Sequence, residues 1–236
     1  MKAVILAGGK GTRLKPYTAV LPKPLMPVDD VPILEIILRQ LKSFGIEDVT
    51  ITVGHLASLI QTFFGDGRAY GLRIQYFHED KPLGTIGSLR LLTNLGEDFL
   101  VMNGDILTDL EIPKLFEDHL KNSAAATIAT YTRQQRIDYG VIKFGGNGEI
   151  VDFLEKPTNP YHVSMGVYVF NRRVVECIPS DRAYGFDELV LELLKRNERI
   201  RSFLYDGYWL DLGRPDDYEI AVRDFSEMRS HFLKES

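Results

Sequence analysis

Val4, Ile5 and Leu6 form an unbroken apolar run that stops at Gly8-Gly9, the pattern of a strand buried on both faces and feeding a tight loop. After a proline-rich stretch from Pro16 to Pro32, the apolar positions Ile33, Ile36, Ile37, Leu38, Leu41 and Phe44 recur at helical spacing. Gly45 stands where such a helix commonly ends. Residues 49–53 read as a second strand, 56–64 as a helix, 73–77 as a third strand and 86–92 as another helix. Residues 99–102 supply one more buried strand, which ends at Asn103-Gly104-Asp105. Strand and helix in alternation with short connections predict right-handed βαβ units. The fold class is therefore α/β, with a doubly wound, mostly parallel, Rossmann-like sheet covered on both faces.

Beyond residue 105 the pattern loosens. Residues 112–120 read as a helix and 124–131 as a strand, while Val141–Phe144 and Ile150–Leu154 flank Gly145-Gly146-Asn147-Gly148 as a hairpin. Residues 163–170 read as a strand, 186–196 as a helix, Ile200–Tyr205 as a strand and Pro215–Phe232 as a closing helix with proline in its first turn. This half is predicted to be more antiparallel. No linker, repeat or low-complexity stretch divides the chain. One domain over residues 1–236 is expected: a half wound like a nucleotide binder up to about residue 110, then a second half that builds a separate pocket over the same sheet. Fraying is expected at 234–236.

Composition narrows the function. With 236 residues, 44% apolar and 26% charged, the chain is of globular type and not disordered, collagen-like or coiled-coil. The 28 Lys and Arg against 33 Asp and Glu leave a formal charge of −5, so no global positive field exists to hold nucleic acid or an anionic membrane. Any phosphate must meet a local basic site. The lone Cys177 excludes an intramolecular disulfide framework and a multi-cysteine zinc site. His55, His78, His119, His162 and His231 show no metal-ligand spacing and read as scattered polar residues. The apolar opening is too short for a signal-peptide core, and no run approaches the roughly 18–20 residues that span a bilayer, so a cytoplasmic protein is expected.

The loop Gly8-Gly9-Lys10-Gly11-Thr12-Arg13-Leu14 follows the first strand, and its glycines let backbone amides turn toward a ligand. It lacks the Gly-Lys-Ser/Thr triplet of a P-loop, and Leu14 stands where the dinucleotide fingerprint needs a third glycine. Spacing alone divides evenly between an anion loop and a structural turn. Lys10, Arg13, Lys15 and Lys23, clustered in an otherwise acidic chain, shift the balance toward a triphosphate.

With Pro16, Thr18 and Pro22-Lys23-Pro24-Leu25, this loop resembles the signature of the sugar-1-phosphate nucleotidyltransferases. The resemblance continues through Leu83-Gly84-Thr85, Asn103-Gly104-Asp105, Tyr139-Gly140-Val141, Glu155-Lys156-Pro157 and Trp209-Leu210-Asp211-Leu212-Gly213, over nearly the whole chain. It implies a GT-A-like fold and attack by a sugar 1-phosphate oxygen on the α-phosphorus of a nucleoside triphosphate (NTP), with pyrophosphate released. It further implies that Leu6, Ala7, Gly8, Gly9, Gly11 and Thr12 hold the nucleotide, and that Glu79, Gly84 and Thr85 line the base. Arg13 would hold the departing phosphates, and Lys23 the phosphate at the reacting centre. Asp105 and Asp211 would share one Mg2+. Glu155 would meet sugar hydroxyls and Lys156 the sugar phosphate, with Gly140, Ser164 and Gly166 beside them. Family members often carry asparagine just before the glycine of this last segment, where Ser164 and Met165 depart from the pattern.

The run Pro82-Leu83-Gly84-Thr85-Ile86-Gly87 looks most like guanylyltransferases acting on mannose or heptose 1-phosphates, so GTP is the favoured nucleotide, with uridylyl or cytidylyl transfer as alternatives. The expected partners are an NTP and a sugar 1-phosphate, not nucleic acid or membrane, in a monomer or homodimer. A catalytically silent regulatory relative would have lost a metal ligand or a phosphate-binding cation, yet Arg13, Lys23, Asp105, Lys156 and Asp211 are all present. A glycosyltransferase would need a strand-end Asp-x-Asp-like metal motif, which Asn103-Gly104-Asp105 is not.

Overall fold

The computed structural model describes residues 1–233; the expected fraying at 234–236 lies outside the described residues. Strand β1 (Lys2–Ala7) sends Ala3, Ile5 and Ala7 into one apolar layer and Val4 into the other, which is why its sequence is apolar without alternation. A two-residue-stranded hairpin, β2 (Pro27–Val28) and β3 (Val31–Pro32), leads into helix α1 (Ile33–Ser43). Gly45, at φ 75, supplies the left-handed residue after that helix. Strand β4 (Asp48–Val53), helix α2 (Ala57–Phe64), strand β5 (Arg73–His78) and strand β6 (Asp98–Asn103) complete the first half. β1 runs parallel to both β4 and β6, and β4 parallel to β5. The chain thus steps outward from β1 to β5 and then returns across β1 to β6. This reversal opens a crevice beyond the carboxyl ends of β1 and β6, where open α/β sheets bind ligands.

The second half continues with β7 (Ile106–Thr108), α3 (Ile112–Asn122), β8 (Ala126–Arg136), β9 (Val141–Phe144), β10 (Ile150–Leu154) and β11 (Thr158–Asn171). It closes with α4 (Phe186–Lys195), β12 (Ile200–Tyr205), β13 (Trp209–Asp211) and α5 (Pro215–Phe232). β11 is antiparallel to β6 and β8, and β12 parallel to β8, giving a seven-stranded sheet in the order β12-β8-β11-β6-β1-β4-β5. One face is covered by α1, α2, α3 and α5 through side chains such as Ile37, Ile60, Leu115 and Phe225. The other is covered by α4 and two 3-10 turns through Leu189, Leu89 and Val174. Each such fully buried side chain contributes about 1.5–3 kcal/mol relative to exposure.

Two expectations are revised. The helix expected at 86–92 is a 3-10 turn, Gly87–Leu91. Gly87 lies so close to Leu83 and the backbone of Tyr184 that the chain there is set by tertiary contact and not by helical spacing. The strands expected at 124–131 and 163–170 are longer, because the polar stretch after Tyr131 is held by its ladder to residues 158–164 and needs no apolar pattern. The hairpin at 145–148 is present, with Asn147 and Gly148 both left-handed, as an Asn-Gly turn requires.

Candidate active site

Two loops leave the crevice side by side, Gly8–Gly11 after β1 and Gly104-Asp105 after β6. The Gly104 N–H donates to the Leu6 carbonyl at 2.9 Å, and a Cβ on Gly104 would stand 3.1 Å from that oxygen, so the close approach depends on glycine. Gly11 is left-handed at φ 60, and a Cβ there would meet Thr18 at 3.0 Å and Lys23 at 3.1 Å. Its carbonyl accepts from the Thr18 hydroxyl at 2.8 Å and the Leu14 N–H at 3.0 Å. These bonds fix the 3-10 turn Thr12–Leu14 that carries the exposed Arg13.

Lys23 begins a second 3-10 turn, with Pro22 before it and Pro24 within it, and is buried. Its ammonium contacts the Asp105 carboxylate and lies 4.0 Å from Oδ1 of Asp211. Burial lowers its pKa to about 8; the Asp211 charge opposes this and the Arg13 charge adds to it. Asp105 and Asp211 are far apart in sequence and meet because β7 and β13 pair, Asp211 opposite Ile106, while the Leu212 N–H donates to the Asp105 carbonyl at 2.9 Å. A Cβ on Gly213 would fall onto the Lys23 ammonium, and stand 2.8 Å from the Arg13 guanidinium and 2.9 Å from Asp211. Gly213 therefore leaves open the space on which the two cations converge.

Behind this cluster, the buried Asp217 at the start of α5 accepts both arms of Arg133, at 2.6 and 2.8 Å. It also accepts the Asp211 N–H at 3.3 Å. The Arg133 guanidinium lies 5.8 Å from the Trp209 ring centroid, and the Trp209 indole N–H donates to the Met165 carbonyl at 2.9 Å. The short strand β13 is thus tied to β8, β11 and α5.

The crevice holds two compartments that share Leu6, Gly9 and Asp105 as walls. The larger, of about 630 Å³, is lined also by Gly8, Lys10, Glu79, Gly84, Thr85 and Asn103. The smaller, of about 260 Å³, is lined also by Ala7, Gly11, Thr12, Arg13, Lys23 and Gly213. The glycine-rich loop is the partition between them. The Glu79 carboxylate packs on Gly8 and accepts the Leu83 N–H at 3.4 Å. Burial raises its pKa, and the hydrogen bond from the Leu83 N–H opposes the rise.

All residues expected at the nucleotide and the metal therefore meet in one crevice. Those expected at the sugar are spread more widely. Gly166, left-handed at φ 75, lies against the Asn103 amide, where a Cβ would be 2.6 Å away. The Ser164 hydroxyl donates to that of Tyr168 at 3.1 Å and accepts the Gly166 N–H at 3.3 Å. Gly140 packs on the Phe153 ring, and exposed Glu155 and Lys156 lie 3.9 Å apart after β10; none of these three lines either compartment. Sequence reasoning gave no role to Gly213 or Asn103, although both lie inside quoted motifs. Arg133 and Asp217 carried no local signal at all. His119, read as a scattered polar residue, is buried: its Nε2–H donates to Asp98 at 3.1 Å and its Nδ1 accepts from Thr127 at 2.9 Å.

Asp105 and Asp211 already converge on one cation, the Lys23 ammonium, so their oxygens face a common volume. Among the described residues no three or more His, Cys, Asp or Glu side chains stand together as a metal group. Magnesium does not need them, since one or two carboxylates with phosphate oxygens and water suffice. The two aspartates fit that ion.

Known proteins resemble this chain in sequence and in fold. The UTP-glucose-1-phosphate uridylyltransferase of Synechocystis is 34% identical, over 94% of this chain and 63% of its own length. The D-glycero-alpha-D-manno-heptose 1-phosphate guanylyltransferase of Aneurinibacillus thermoaerophilus is 33% identical, over 95% and 98%. The chain thus spans less than two thirds of the first relative and nearly all of the second. The crystal structure of HddC from Yersinia pseudotuberculosis superposes with a TM-score of 0.74 at 26% identity, covering 95% of this chain and 99% of that one. The same protein in complex with GMP-PN gives 0.72. With the nucleotidyl transferase sequence profile matching residues 2–227, the chain belongs to the nucleotidyl transferase family.

Proposed function

We propose that this chain transfers a nucleotidyl group from an NTP, with GTP preferred, to a mannose- or heptose-type sugar 1-phosphate. The reading rests on one observation: Arg13, Lys23, Asp105 and Asp211 converge on a small compartment that shares a wall with a larger one. A base and ribose fit the larger, and the phosphates the smaller. The sugar phosphate oxygen bonds to the α-phosphorus, and the α–β anhydride bond breaks to release pyrophosphate. The sugar phosphate is already ionised at neutral pH, so no general base is needed. Two anions must approach each other, and fixed positive charge in a confined site is what lowers that barrier.

Arg13 neutralises the leaving β- and γ-phosphates, and Lys23 the α-phosphate. Asp105 and Asp211 would hold Mg2+, which when bound supplies further charge neutralisation on the nucleotide phosphates. Holding both reactants in line accounts for about 7–11 kcal/mol of barrier through effective molarity. Lys156 takes the acceptor phosphate and Glu155 its hydroxyls, beside Gly140, Ser164 and Gly166.

Guanine offers ring and exocyclic N–H donors that suit the Glu79 carboxylate, and a site built on such bonds discriminates sharply between bases. The guanylyltransferase relative and the GMP-PN complex support that choice. The uridylyltransferase relative supports UTP as the second reading. We place the activity in the cytoplasm. Pyrophosphate release from a matrix of four triphosphates against several sugar 1-phosphates tests both readings. GTP with a mannose or heptose 1-phosphate is expected to give the highest kcat/KM, and a higher value for UTP overturns the base assignment. Asp105→Ala and Asp211→Ala are each expected to abolish metal-dependent turnover while the protein stays folded; near-normal rates in either refute the metal role.

A further inference from the structure

Asn103 ends β6, and among the described residues its side chain makes no hydrogen bond; the amide oxygen is buried without a partner. Native structures seldom leave a buried polar atom unpaired, because it has given up water and gained nothing in return. Asn103 forms part of the wall of the larger compartment, and Asp105 follows it across Gly104. β11 makes room for the amide. Its ladder to β6 pairs Val167 with Met102, so Gly166 lies beside Asn103, left-handed at φ 75. A Cβ on Gly166 would stand 2.6 Å from Nδ2 of Asn103 and 3.1 Å from its Cγ. The other polar groups at this meeting of strands are occupied within the protein. The Ser164 hydroxyl is shared between Tyr168 and the Gly166 N–H, and the Met165 carbonyl takes the Trp209 indole N–H. The carboxamide of Asn103 keeps its whole hydrogen-bonding capacity unspent.

We propose that Asn103 is a specificity residue for the acceptor, and that its amide hydrogen-bonds a ring hydroxyl of the sugar 1-phosphate. The inference rests on the nucleotidyl-transfer reading above. In that reading the base lies against Glu79 after β5, and the sheet order sets β6 three strands from β5, about 14 Å across at the usual spacing. The phosphates occupy the smaller compartment, beyond the glycine-rich loop. The end of the larger compartment at Asn103 is left for the acceptor, whose ring must follow its phosphate to the reacting centre beside Asp105. A hydroxyl suits the amide in either orientation: it donates as well as accepts, and a half-turn of the side chain exchanges nitrogen and oxygen. An ionised phosphate oxygen only accepts, and would leave the amide oxygen unpaired. The ribose hydroxyls are the competing ligand.

The test measures pyrophosphate release by the wild type, Asn103→Ala and the volume-keeping Asn103→Leu, using the triphosphate and sugar 1-phosphate that the wild type turns over best. Monodeoxy analogues of that sugar 1-phosphate and the 2′- and 3′-deoxy forms of the triphosphate are then compared. Both variants are expected to lower kcat/KM for the sugar 1-phosphate by about 10–100-fold, with KM for the triphosphate within about threefold of wild type. With one of the monodeoxy sugars the loss should disappear, because the wild type then has no bond to lose. The melting temperature of Asn103→Ala should match or exceed that of the wild type, since a buried unpaired oxygen is removed. A loss that persists for every sugar analogue, or that vanishes with a deoxy triphosphate instead, overturns the proposal. So do unchanged kinetics, or a lowered melting temperature with both substrates affected alike. A wild type that releases no pyrophosphate from any pair overturns the nucleotidyl-transfer reading itself, a failure distinct from that of Asn103.

Discussion

Gly213 shows how one missing methyl can be a functional device. Its φ is ordinary, so alanine brings no backbone strain, yet the added Cβ would displace only the ends of Lys23 and Arg13 and press on Asp211. Gly213→Ala is therefore expected to lower kcat by about 10²–10³-fold, the effect of misplacing one preorganised charged donor. Its melting temperature should stay within about 2 °C. A large drop in melting temperature with little change in kcat would show that the position is structural. His119 gives the opposite case, a titratable group outside the crevice. Burial lowers its pKa below the ordinary 6.5, with Asp98 and Asp118 opposing and Arg173 assisting. Above pH 6.5 the ring is neutral in both states and has no effect. As pH falls through 6.5 the unfolded chain takes up a proton that the buried ring resists, so stability falls with pH. Urea midpoints measured down from neutral pH should decline for the wild type and flatten for His119→Gln; an unchanged slope in the variant assigns the effect to other groups.

At the scale of elements, one buried carboxylate, Asp217, helps to hold the short strand β13. Removing it in Asp217→Ala leaves Arg133 without its partner and frees the Asp211 N–H. The expected cost is about 2–3 kcal/mol, at the lower end for a broken buried pair because Arg133 keeps some solvent. A urea midpoint shift at constant m-value measures it, and a shift near zero would show that the ladder to β7 suffices alone. This linkage also marks where sequence reading ends. β1 and β6 were legible because both faces of each are buried, leaving an apolar run bounded by turn residues, and β4 because Val49, Ile51 and Val53 alternate with polar residues. Arg13, Lys23, Asp105 and Asp211 were legible because they lie in long, ordered motifs. The pairing of β7 with β13, the extension of β8 and β11, and the Arg133–Asp217 pair were not. Ladders between distant polar segments and isolated ion pairs leave no local periodicity, and their partners become neighbours only after the sheet is built. The 3-10 turn at 87–91 misled for a related reason: its apolar spacing is helical, but Gly87 is packed against another segment.

At the scale of the whole molecule, the proposed donor and acceptor sides belong to separate parts of the fold. Glu79 follows β5 at one end of the sheet, and Lys156 follows β10 on the ribbon; among the described residues no hydrogen bond or ion pair joins them. Glu79→Ala is expected to raise KM for the triphosphate more than for the sugar phosphate, and Lys156→Ala the reverse. In the double variant the losses in kcat/KM should add as free energies to within about 0.3–0.5 kcal/mol, as independent sites do. Strong non-additivity would show that the two sides close on each other as a unit.

β11 is the member that joins these parts. Residues 165–171 are buried among β6, β8 and both apolar layers, whereas residues 158–162 run out almost uncovered to the base of the ribbon. Substitutions near its outer end are cheap for folding, while those near its inner end are not. The outer end of β11 is therefore free to vary in sequence while its inner end keeps β6 and β8 in register.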